Sequence, residues 1–460
     1  MAPDANDSDG IYSDDPDGSD DDSSDDSSGD ESGDDDVELP DERTLTAIMK
    51  LERSLEDNPA SYAAHNKLVR LLRDVSRVGG SLKRRLADAR EAMSARFPLH
   101  EAQWREWISD EVVATRGKGG SRRAKVVGGL FERAVGDYLS VPLWLGYAEF
   151  SLDQGWDEDR RRQLYESALS VAGLHFTDGH KLWAAYRAFE LSQLETAAKA
   201  AGGGTKDKAA TTAVTKAEET VRALLRRQLV VPHAQMEETM AMAEEWERAR
   251  PGNTGGASVP LPAEIAGAHA KAAAAAAARR PHEDAVAAAV AAPAGDVAAA
   301  LSKAYRAYIA LEMTSKDPSR AQCVFERAVT SAPTDPALWR RYTSYLDNTL
   351  KVRTLSVAAH ARAVRNCPTH GDTWAAAMRA AEQRAAAAAA ATAAAHDDDP
   401  TAELMEAALG AGLVAGDDYL AVFTARLDVL RRGGDGAGFR ATAQLARETL
   451  SVGENHCPLP

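Results

Sequence analysis

One stretch of the sequence predicts the fold of most of the chain. Residues 318–346 read PSRAQCVFERAVTSAPTDPALWRRYTSYL, in which Pro333 separates two segments with apolar residues at intervals of three and four. This spacing places the apolar side chains on one face of an α-helix. The first segment carries Phe-Glu-Arg-Ala-Val at 325–329, and the second carries Trp339 and Tyr342, three residues apart. The stretch therefore predicts two amphipathic helices joined by a short turn.

Both motifs recur along the chain. The aromatic pair is followed by an apolar or acidic residue six or seven positions after its first ring, in Trp104-Trp107-Glu111, Trp144-Tyr147-Phe150, Trp183-Tyr186-Glu190, Tyr305-Tyr308-Glu312 and Trp339-Tyr342-Tyr345. The Phe-Glu-Arg-Ala-Val motif recurs at 131–135 and, in altered form, at 165–169, 360–364 and 405–409. Equivalent positions lie 34 residues apart between Phe131 and Tyr165, and 35 residues apart between Trp339 and Trp374.

A helix pair that repeats at this period predicts an all-α fold, an α-solenoid of TPR-like repeats. Neither helix can bury its apolar face alone, so neighbouring pairs must stack. Large rings on the first helix supply buried area, and alanines on the second let the backbones approach closely. Prolines, which stop one helix and favour the start of the next, mark the predicted repeat boundaries. They are Pro98, Pro142, Pro232, Pro333 and Pro368.

Fourteen aromatic residues form the predicted structural signature of the repeats. They are Trp104, Trp107, Phe131, Trp144, Tyr147, Tyr165, Trp183, Tyr186, Tyr305, Tyr308, Phe325, Trp339, Tyr342 and Trp374. Aromatic faces interleaved with arginine also serve as stacking platforms for single-stranded RNA. Their helical spacing favours core packing instead. The Glu-Arg pairs at 132–133 and 326–327 are interpreted either as bridges to neighbouring helices or as part of a solvated face.

The predicted array is divided by inserts rich in Ala, Gly, Pro and Thr. These inserts, at 197–213, 251–299 and 384–400, reduce the predicted count from about twelve units to about nine. Alanine runs lack large side chains to anchor them, so we expect loops or helix extensions away from the core. The predicted organisation is a disordered acidic Ser/Asp tail at 1–42, N-terminal repeats at 43–250, a Pro/Gly/Ala-rich insert at 251–299 and C-terminal repeats at 300–460.

The first 42 residues are strongly acidic. They contain 19 Asp or Glu and no Lys or Arg, so their formal charge is −19. The formal net charge of the whole chain is −16, and the remaining residues therefore sum to +3. With almost nothing to bury, this tail is predicted to be disordered.

Five serines of the tail have an acidic residue three positions later, which suits an acidophilic kinase. A plain solubilising tail is the alternative. These candidate phosphorylation sites are Ser19, Ser23, Ser27, Ser28 and Ser32. Phosphates there would attract basic partners.

The sequence predicts neither an enzyme nor a cofactor or metal site. His175 and His180 flank Asp178, but no second cluster of metal ligands accompanies them. The basic stretch 116–125 lacks the Walker spacing of a phosphate-binding loop and is interpreted as a loop between helices, with nuclear import or RNA-backbone contact as the alternative.

No apolar window long enough to span a membrane is present. Three cysteines are too few for a disulfide framework and lack zinc-site spacing. They are Cys323, Cys367 and Cys457.

The aromatic helix and the Phe-Glu-Arg-Ala helix together resemble the half-a-TPR (HAT) repeat of eukaryotic RNA-processing scaffolds. An ordinary tetratricopeptide repeat would have Gly and Tyr where this sequence has Ala148 and Ser151. Other segments are similar to the HAT region of U4/U6 small nuclear ribonucleoprotein recycling factors. They are Phe97-Pro98-Leu99, Gly173-Leu174-His175, Arg226-Arg227-Gln228-Leu229 and Arg365-Asn366-Cys367-Pro368.

The resemblance implies a nuclear scaffold, with a cytoplasmic pool also compatible, that binds other proteins of a ribonucleoprotein or spliceosomal complex along a concave groove. Its expected role is pre-mRNA splicing and U4/U6 assembly or recycling. RNA contact is expected to be indirect, because the sequence lacks the signature of an RNA recognition motif. Homodimerisation through the later repeats is a further implication. The alternatives are a HAT scaffold of mRNA 3′-end cleavage or ribosomal RNA processing and, less favoured, an αα-repeat enzyme subunit such as a protein prenyltransferase α chain.

Overall fold

The chain forms nineteen α-helices within the residues that the computed structural model describes. These residues are 41–76, 80–116, 120–202, 208–250, 261–392 and 399–454. The first ten helices are α1 Glu42–Asp57, α2 Tyr62–Val75, α3 Gly80–Arg96, α4 Glu101–Ala114, α5 Gly120–Asp137, α6 Val141–Asp153, α7 Glu158–Ala172, α8 Gly179–Ala201, α9 Lys208–Leu229 and α10 Met236–Arg248. The others are α11 Ala263–Val290, α12 Val297–Ser315, α13 Pro318–Ser331, α14 Pro336–Tyr345, α15 Arg353–Asn366, α16 Gly371–Thr392, α17 Pro400–Gly410, α18 Gly416–Gly433 and α19 Gly436–Glu454. These ranges contain no β-strand, so the prediction of an all-α fold is confirmed.

After α1, the helices alternate as nine pairs. We call the first, even-numbered helix of each pair the A helix and the second, odd-numbered helix the B helix. Successive A helices contact one another, as α4 does with α6, α6 with α8, and α14 with α16. This arrangement is an α-solenoid, in agreement with the predicted array of about nine repeats. One A helix, α14, continues into a π-helical turn at Leu346–Leu350.

The helix ends follow from local chemistry. Asp335 caps α14, because its Oδ1 atom accepts hydrogen bonds from the amides of Ala337 at 2.8 Å and Leu338 at 3.3 Å. These amides have no partner within the helix, and a side-chain acceptor at the N-cap satisfies them. Ser140 caps α6 in the same way through the amide of Leu143. The five boundary prolines lie between a B helix and the following A helix or in the first turn of that A helix.

The buried side chains form consecutive clusters along the array. One cluster runs from Met93 in α3 to Leu224 in α9 and also contains Cys323 of α13, and a second runs from Val286 in α11 to Cys367 at the end of α15. A third continues from Val364 to Ala446 in α19. Each cluster crosses several helix pairs. The core is therefore a continuous strip rather than a central globule, as expected of a solenoid.

The structure corrects the expectation for the insert at 251–299. Residues 263–290 form α11, which packs against α9 and α12 and is a B helix of the array. Ala272 and Ala276 are buried against Phe176 and Met236. The expectation that this alanine run lies away from the core is therefore wrong. An alanine face needs no large side chain to pack, because its small volume lets neighbouring helices supply the contact atoms.

A pair of substitutions in α11 tests its place in the core. Ala276 is 3% exposed and its neighbour Ala277 is exposed. We expect Ala276→Leu to lower the free energy of unfolding by about 1–3 kcal/mol through overpacking, and Ala277→Leu to change it by less than about 0.5 kcal/mol. Urea denaturation followed by circular dichroism measures both. Equal effects of the two variants would contradict the buried position of this helix face.

Candidate functional site

Stacked rings join four of the B helices to the A helix of the following pair. Phe131 in α5 stacks on Tyr147 in α6 with ring centroids 5.1 Å apart. The same contact joins Tyr165 to Tyr186 at 4.8 Å. It recurs in the later repeats between Phe325 and Tyr342 at 5.2 Å. The first residue of the Phe-Glu-Arg-Ala-Val motif therefore packs against the second ring of the next aromatic pair. This contact couples successive repeats.

All fourteen predicted signature residues are buried, with exposed fractions of 7% or less. They are Trp104, Trp107, Phe131, Trp144, Tyr147, Tyr165, Trp183, Tyr186, Tyr305, Tyr308, Phe325, Trp339, Tyr342 and Trp374. Several indole N–H groups have a partner inside the fold, as expected of buried tryptophans. Trp339 donates to the carbonyl of Pro333 at 2.6 Å, and Trp374 donates to the carbonyl of Pro368 at 2.8 Å. The rings lie in the core, where a nucleic-acid base has no access to them.

One repeat was missed by reasoning from the sequence. Residues 282–286 of α11 read His-Glu-Asp-Ala-Val, and His282 stacks on Tyr308 at 5.4 Å in the place that Phe or Tyr takes elsewhere. The motif was hidden because histidine replaces the usual ring and alanines surround it. Glu283, Ala285 and Val286 could have identified this repeat, because they occupy the second, fourth and fifth positions of the Phe-Glu-Arg-Ala-Val motif.

Glutamate and arginine side chains form a ladder between successive B helices. A glutamate of one B helix accepts two hydrogen bonds from an arginine of the next, and in the helices that carry the Phe-Glu-Arg-Ala-Val motif or its altered forms these residues occupy its second and third positions. The four rungs are Glu91–Arg133, Glu166–Arg227, Glu283–Arg327 and Glu326–Arg362. All of the N···O distances lie between 2.6 and 2.9 Å. Of the two Glu-Arg pairs, Arg133, Glu326 and Arg327 therefore bridge to neighbouring B helices, whereas Glu132 is exposed and accepts a hydrogen bond from the Tyr147 hydroxyl at 3.4 Å.

The rungs differ in burial. The side chains of Arg227 and Glu166 are 47% and 45% exposed, whereas those of Arg327 and Glu283 are 6% and 8% exposed. An exposed ion pair contributes little to stability, whereas removing one partner of a buried pair leaves an uncompensated charge. The late rungs therefore fix helix register more strictly than the early ones.

The late rung at Glu326 is connected to the aromatic core. The Tyr342 hydroxyl donates to Glu326 Oε1 at 2.5 Å. Burial raises the pKa of the Glu326 carboxyl, but the Arg362 guanidinium and this hydroxyl lower it more, so the pKa lies below its ordinary value. Glu326 is therefore ionised at neutral pH, and one carboxylate ties a B helix to the next A helix and to the next B helix.

A second set of ion pairs joins B helices to the following A helices. Arg162 in α7 pairs with Glu190 in α8, and Arg279 in α11 pairs with Glu312 in α12, in both cases with a closest N···O distance of 2.7 Å. Each arginine lies four residues before the motif glutamate of its helix. Glu190 and Glu312 each lie seven positions after the first ring of an aromatic pair. Their exposed fraction is 1%, so these carboxylates serve the fold.

Early and late repeats also contact each other directly. Arg365 in α15 pairs with Asp137 at the end of α5 at 3.3 Å, and Arg362 donates to the backbone carbonyl of Asp137 at 3.2 Å. The Tyr138 hydroxyl donates to Asn366. Burial raises the pKa of the Asp137 carboxyl above its ordinary value. These contacts bring the end of α15 against the end of α5, 225 to 228 residues earlier in the chain.

The remaining candidate residues show no catalytic arrangement. Burial raises the pKa values of the Cys323 and Cys367 thiols to about 12, which disfavours the reactive thiolate. Within the described ranges, no group of three or more His, Cys, Asp or Glu could hold a metal ion. None of the described helices is both long and apolar enough to cross a lipid bilayer. Cys457 and the five tail serines lie outside the described residues.

Comparison with known proteins agrees with the paired helices and their motifs. Residues 49–201 match the family model described as the PRP39 N-terminal HAT repeat. Residues 49–201 therefore belong to the family of HAT-repeat proteins.

Among these proteins, this chain is similar to the spliceosome associated factor 3, U4/U6 recycling proteins. The identity is 35% with the Mus musculus protein and 34% with the Homo sapiens protein, over 84% of this chain and 35% of each relative. With the Danio rerio protein it is 34%, over 84% of this chain and 37% of the relative. The chain thus spans about a third of the length of these curated relatives.

Truncation of equivalent glutamates tests the graded ladder. We expect Glu326→Ala to lower the free energy of unfolding by about 3–5 kcal/mol, because it leaves Arg362 buried and unpaired. Glu166→Ala, at the equivalent position of an exposed rung, is the matched control and is expected to cost less than about 1 kcal/mol. Guanidinium denaturation measures both. A larger loss for Glu166→Ala would refute the grading.

The same carboxylate predicts a pH dependence of stability. Because the folded state lowers the pKa of Glu326 below 4.5, its contribution is present above that ordinary value and is lost as the pH falls through the folded-state pKa. The difference in unfolding free energy between the unmodified chain and Glu326→Gln should therefore be largest near pH 7 and should shrink on acidification. Denaturation series at several pH values measure it. A difference that grows as the pH falls would contradict the assignment.

Proposed function

We propose that this chain is the protein-binding HAT scaffold of a nuclear factor in pre-mRNA splicing, acting in assembly or recycling of the U4/U6 small nuclear ribonucleoprotein. The similarity over 84% of the chain to proteins named as U4/U6 recycling proteins carries this proposal. The similarity includes the repeat array itself. The proposed mechanism therefore depends on what a rigid helical array can do.

The proposed mechanism is presentation of side chains on a fixed frame. Stacked rings and buried ion pairs hold each helix pair against the next, so surface residues of several repeats keep constant spacing. A partner that docks on such a surface loses its own freedom, but the scaffold loses little, which favours binding. The scaffold holds partners in mutual position and carries out no chemical step.

We propose that any association with RNA is indirect in this part of the protein. The support is the burial of all fourteen signature rings, since single-strand binding without sequence preference relies on exposed aromatic faces. We further propose self-association through the later repeats. Large apolar side chains exposed on the last two helices, at Leu420, Phe439 and Leu445, support this proposal.

Affinity purification of the tagged full-length chain from cells of its own species tests the proposed function. We expect U4 and U6 RNA, with their proteins, to be enriched over U1 and U2 RNA by sequencing and mass spectrometry. Nuclease treatment should remove the RNA and leave directly bound proteins. The matched control is the destabilised variant Glu326→Ala, which should recover fewer partners. Recovery of 3′-end cleavage factors or ribosomal precursors in place of U4/U6 components would support the alternatives and refute this proposal.

A further inference from the structure

A polar groove lies between two successive A helices of the later repeats, α14 and α16. Its volume is about 260 Å³. Ala376 and Ala380 of α16, one turn apart, line it. Two arginines, Arg340 and Arg379, line it as well, together with Asn348. The alanines leave the space open, because their side chains do not fill the distance between the two helices. The groove is therefore lined by both small apolar residues and cationic side chains.

An irregular backbone segment forms one side of the groove. Helix α14 ends in the π-helical turn Leu346–Leu350, and Lys351 follows with a φ of 56°. The Asn348 side chain donates to the carbonyl and hydroxyl oxygens of Ser344 at 3.0 and 3.2 Å, which fixes this turn. Single π-turns within α-helices often occur at functional sites. Here the turn positions Asn348 in the groove.

The groove carries cationic charge that the fold does not neutralise. Arg379 is exposed, and no carboxylate lies within ion-pair distance of it among the described residues. Arg340 pairs with Asp372 at 3.2 Å, but both side chains are about two-thirds exposed, at 63% and 67%, so water weakens the pair.

The acidic side chain in the lining is engaged elsewhere. Asp347 accepts hydrogen bonds from the Ser356 hydroxyl and from His360 Nε2, the latter at 2.9 Å. Both partners belong to α15, so these bonds are structural. The lining therefore holds two guanidinium groups, one of them weakly paired, and one carboxylate, so it keeps an excess of positive charge for an incoming ligand.

The geometry points to this groove as a docking site for an acidic segment of a partner protein, with Arg379 and Arg340 binding its carboxylates. Arginine suits this role, because its planar guanidinium binds a carboxylate through two parallel hydrogen bonds. The carboxylate would displace Asp372 from Arg340 and give Arg379 a counter-charge. The inference deepens the proposed scaffold function and rests on it only in assuming that the chain has protein partners.

The same surface is poorly suited to RNA. The aromatic rings of α14 and α16, at Trp339, Tyr342, Tyr345 and Trp374, are buried, so no ring of these helices can stack on a base. Base stacking, on which single-strand binding relies, is therefore not available in this groove.

Fluorescence anisotropy with the full-length chain tests the inference. The probe is a short fluorescein-labelled peptide rich in glutamate, and the matched peptide has glutamine at each glutamate position. We expect Arg379→Glu to weaken binding of the acidic peptide at least about tenfold. Arg447→Glu, the same charge change at an exposed position of α19, should leave binding within about twofold. Ala376→Leu, which fills the groove at constant charge, should also weaken binding.

Three outcomes would overturn the inference. They are no effect of Arg379→Glu, equal weakening by Arg379→Glu and Arg447→Glu, and Arg379-dependent binding of single-stranded RNA that displaces the peptide. If Arg379→Glu alters the circular dichroism spectrum, Arg379→Gln replaces it with the same expectation of weaker binding. The assay contains no ribonucleoprotein component. Loss of support in the peptide assay would therefore not count against the U4/U6 proposal. Likewise, a purification that recovers no U4 or U6 RNA would not count against the docking of an acidic peptide.

Discussion

The stack between a B-helix ring and the second ring of the next A helix is the contact on which the array depends. It recurs at centroid distances of 4.8–5.4 Å at Phe131, Tyr165, His282 and Phe325. Every such contact crosses from one helix pair to the next, so no pair completes its core alone. The stack fixes the distance and orientation between repeats, and the ion pairs are built around that geometry.

The ion-pair ladder adds register to this packing. A stack of flat rings tolerates sliding, whereas a guanidinium that donates two hydrogen bonds to one carboxylate does not. Glu326 illustrates the combination, because it accepts from Tyr342 of the next A helix and from Arg362 of the next B helix. Buried rungs in the later repeats make that part of the array the more strictly ordered frame. The proposed acidic-peptide groove lies between two A helices of these repeats, α14 and α16.

Sequence reasoning succeeded where one residue type carried the packing and failed where composition concealed it. The period of 34 or 35 residues identified the repeats because Trp and Tyr are rare, large and regularly placed. Helix α11 was misjudged, because an alanine-rich helix looks unable to anchor itself when its neighbours are not known. The Glu-Arg pairs were ambiguous for a related reason: the ion-pair partners of Arg133, Glu326 and Arg327 lie on other repeats, at separations of 36 to 44 residues.

The sequence by itself determined the helical class and the repeat, since these follow from the spacing of apolar side chains along one chain, and its motifs carried the resemblance to the HAT family. Only the tertiary structure decided which charges are buried and paired, that α15 meets Asp137 of the early repeats, and that a cationic groove opens between α14 and α16. Those features depend on how far each pair rotates relative to the previous one. Small rotations accumulate over many repeats, and the contacts that result join residues too distant in the sequence for any local pattern to specify.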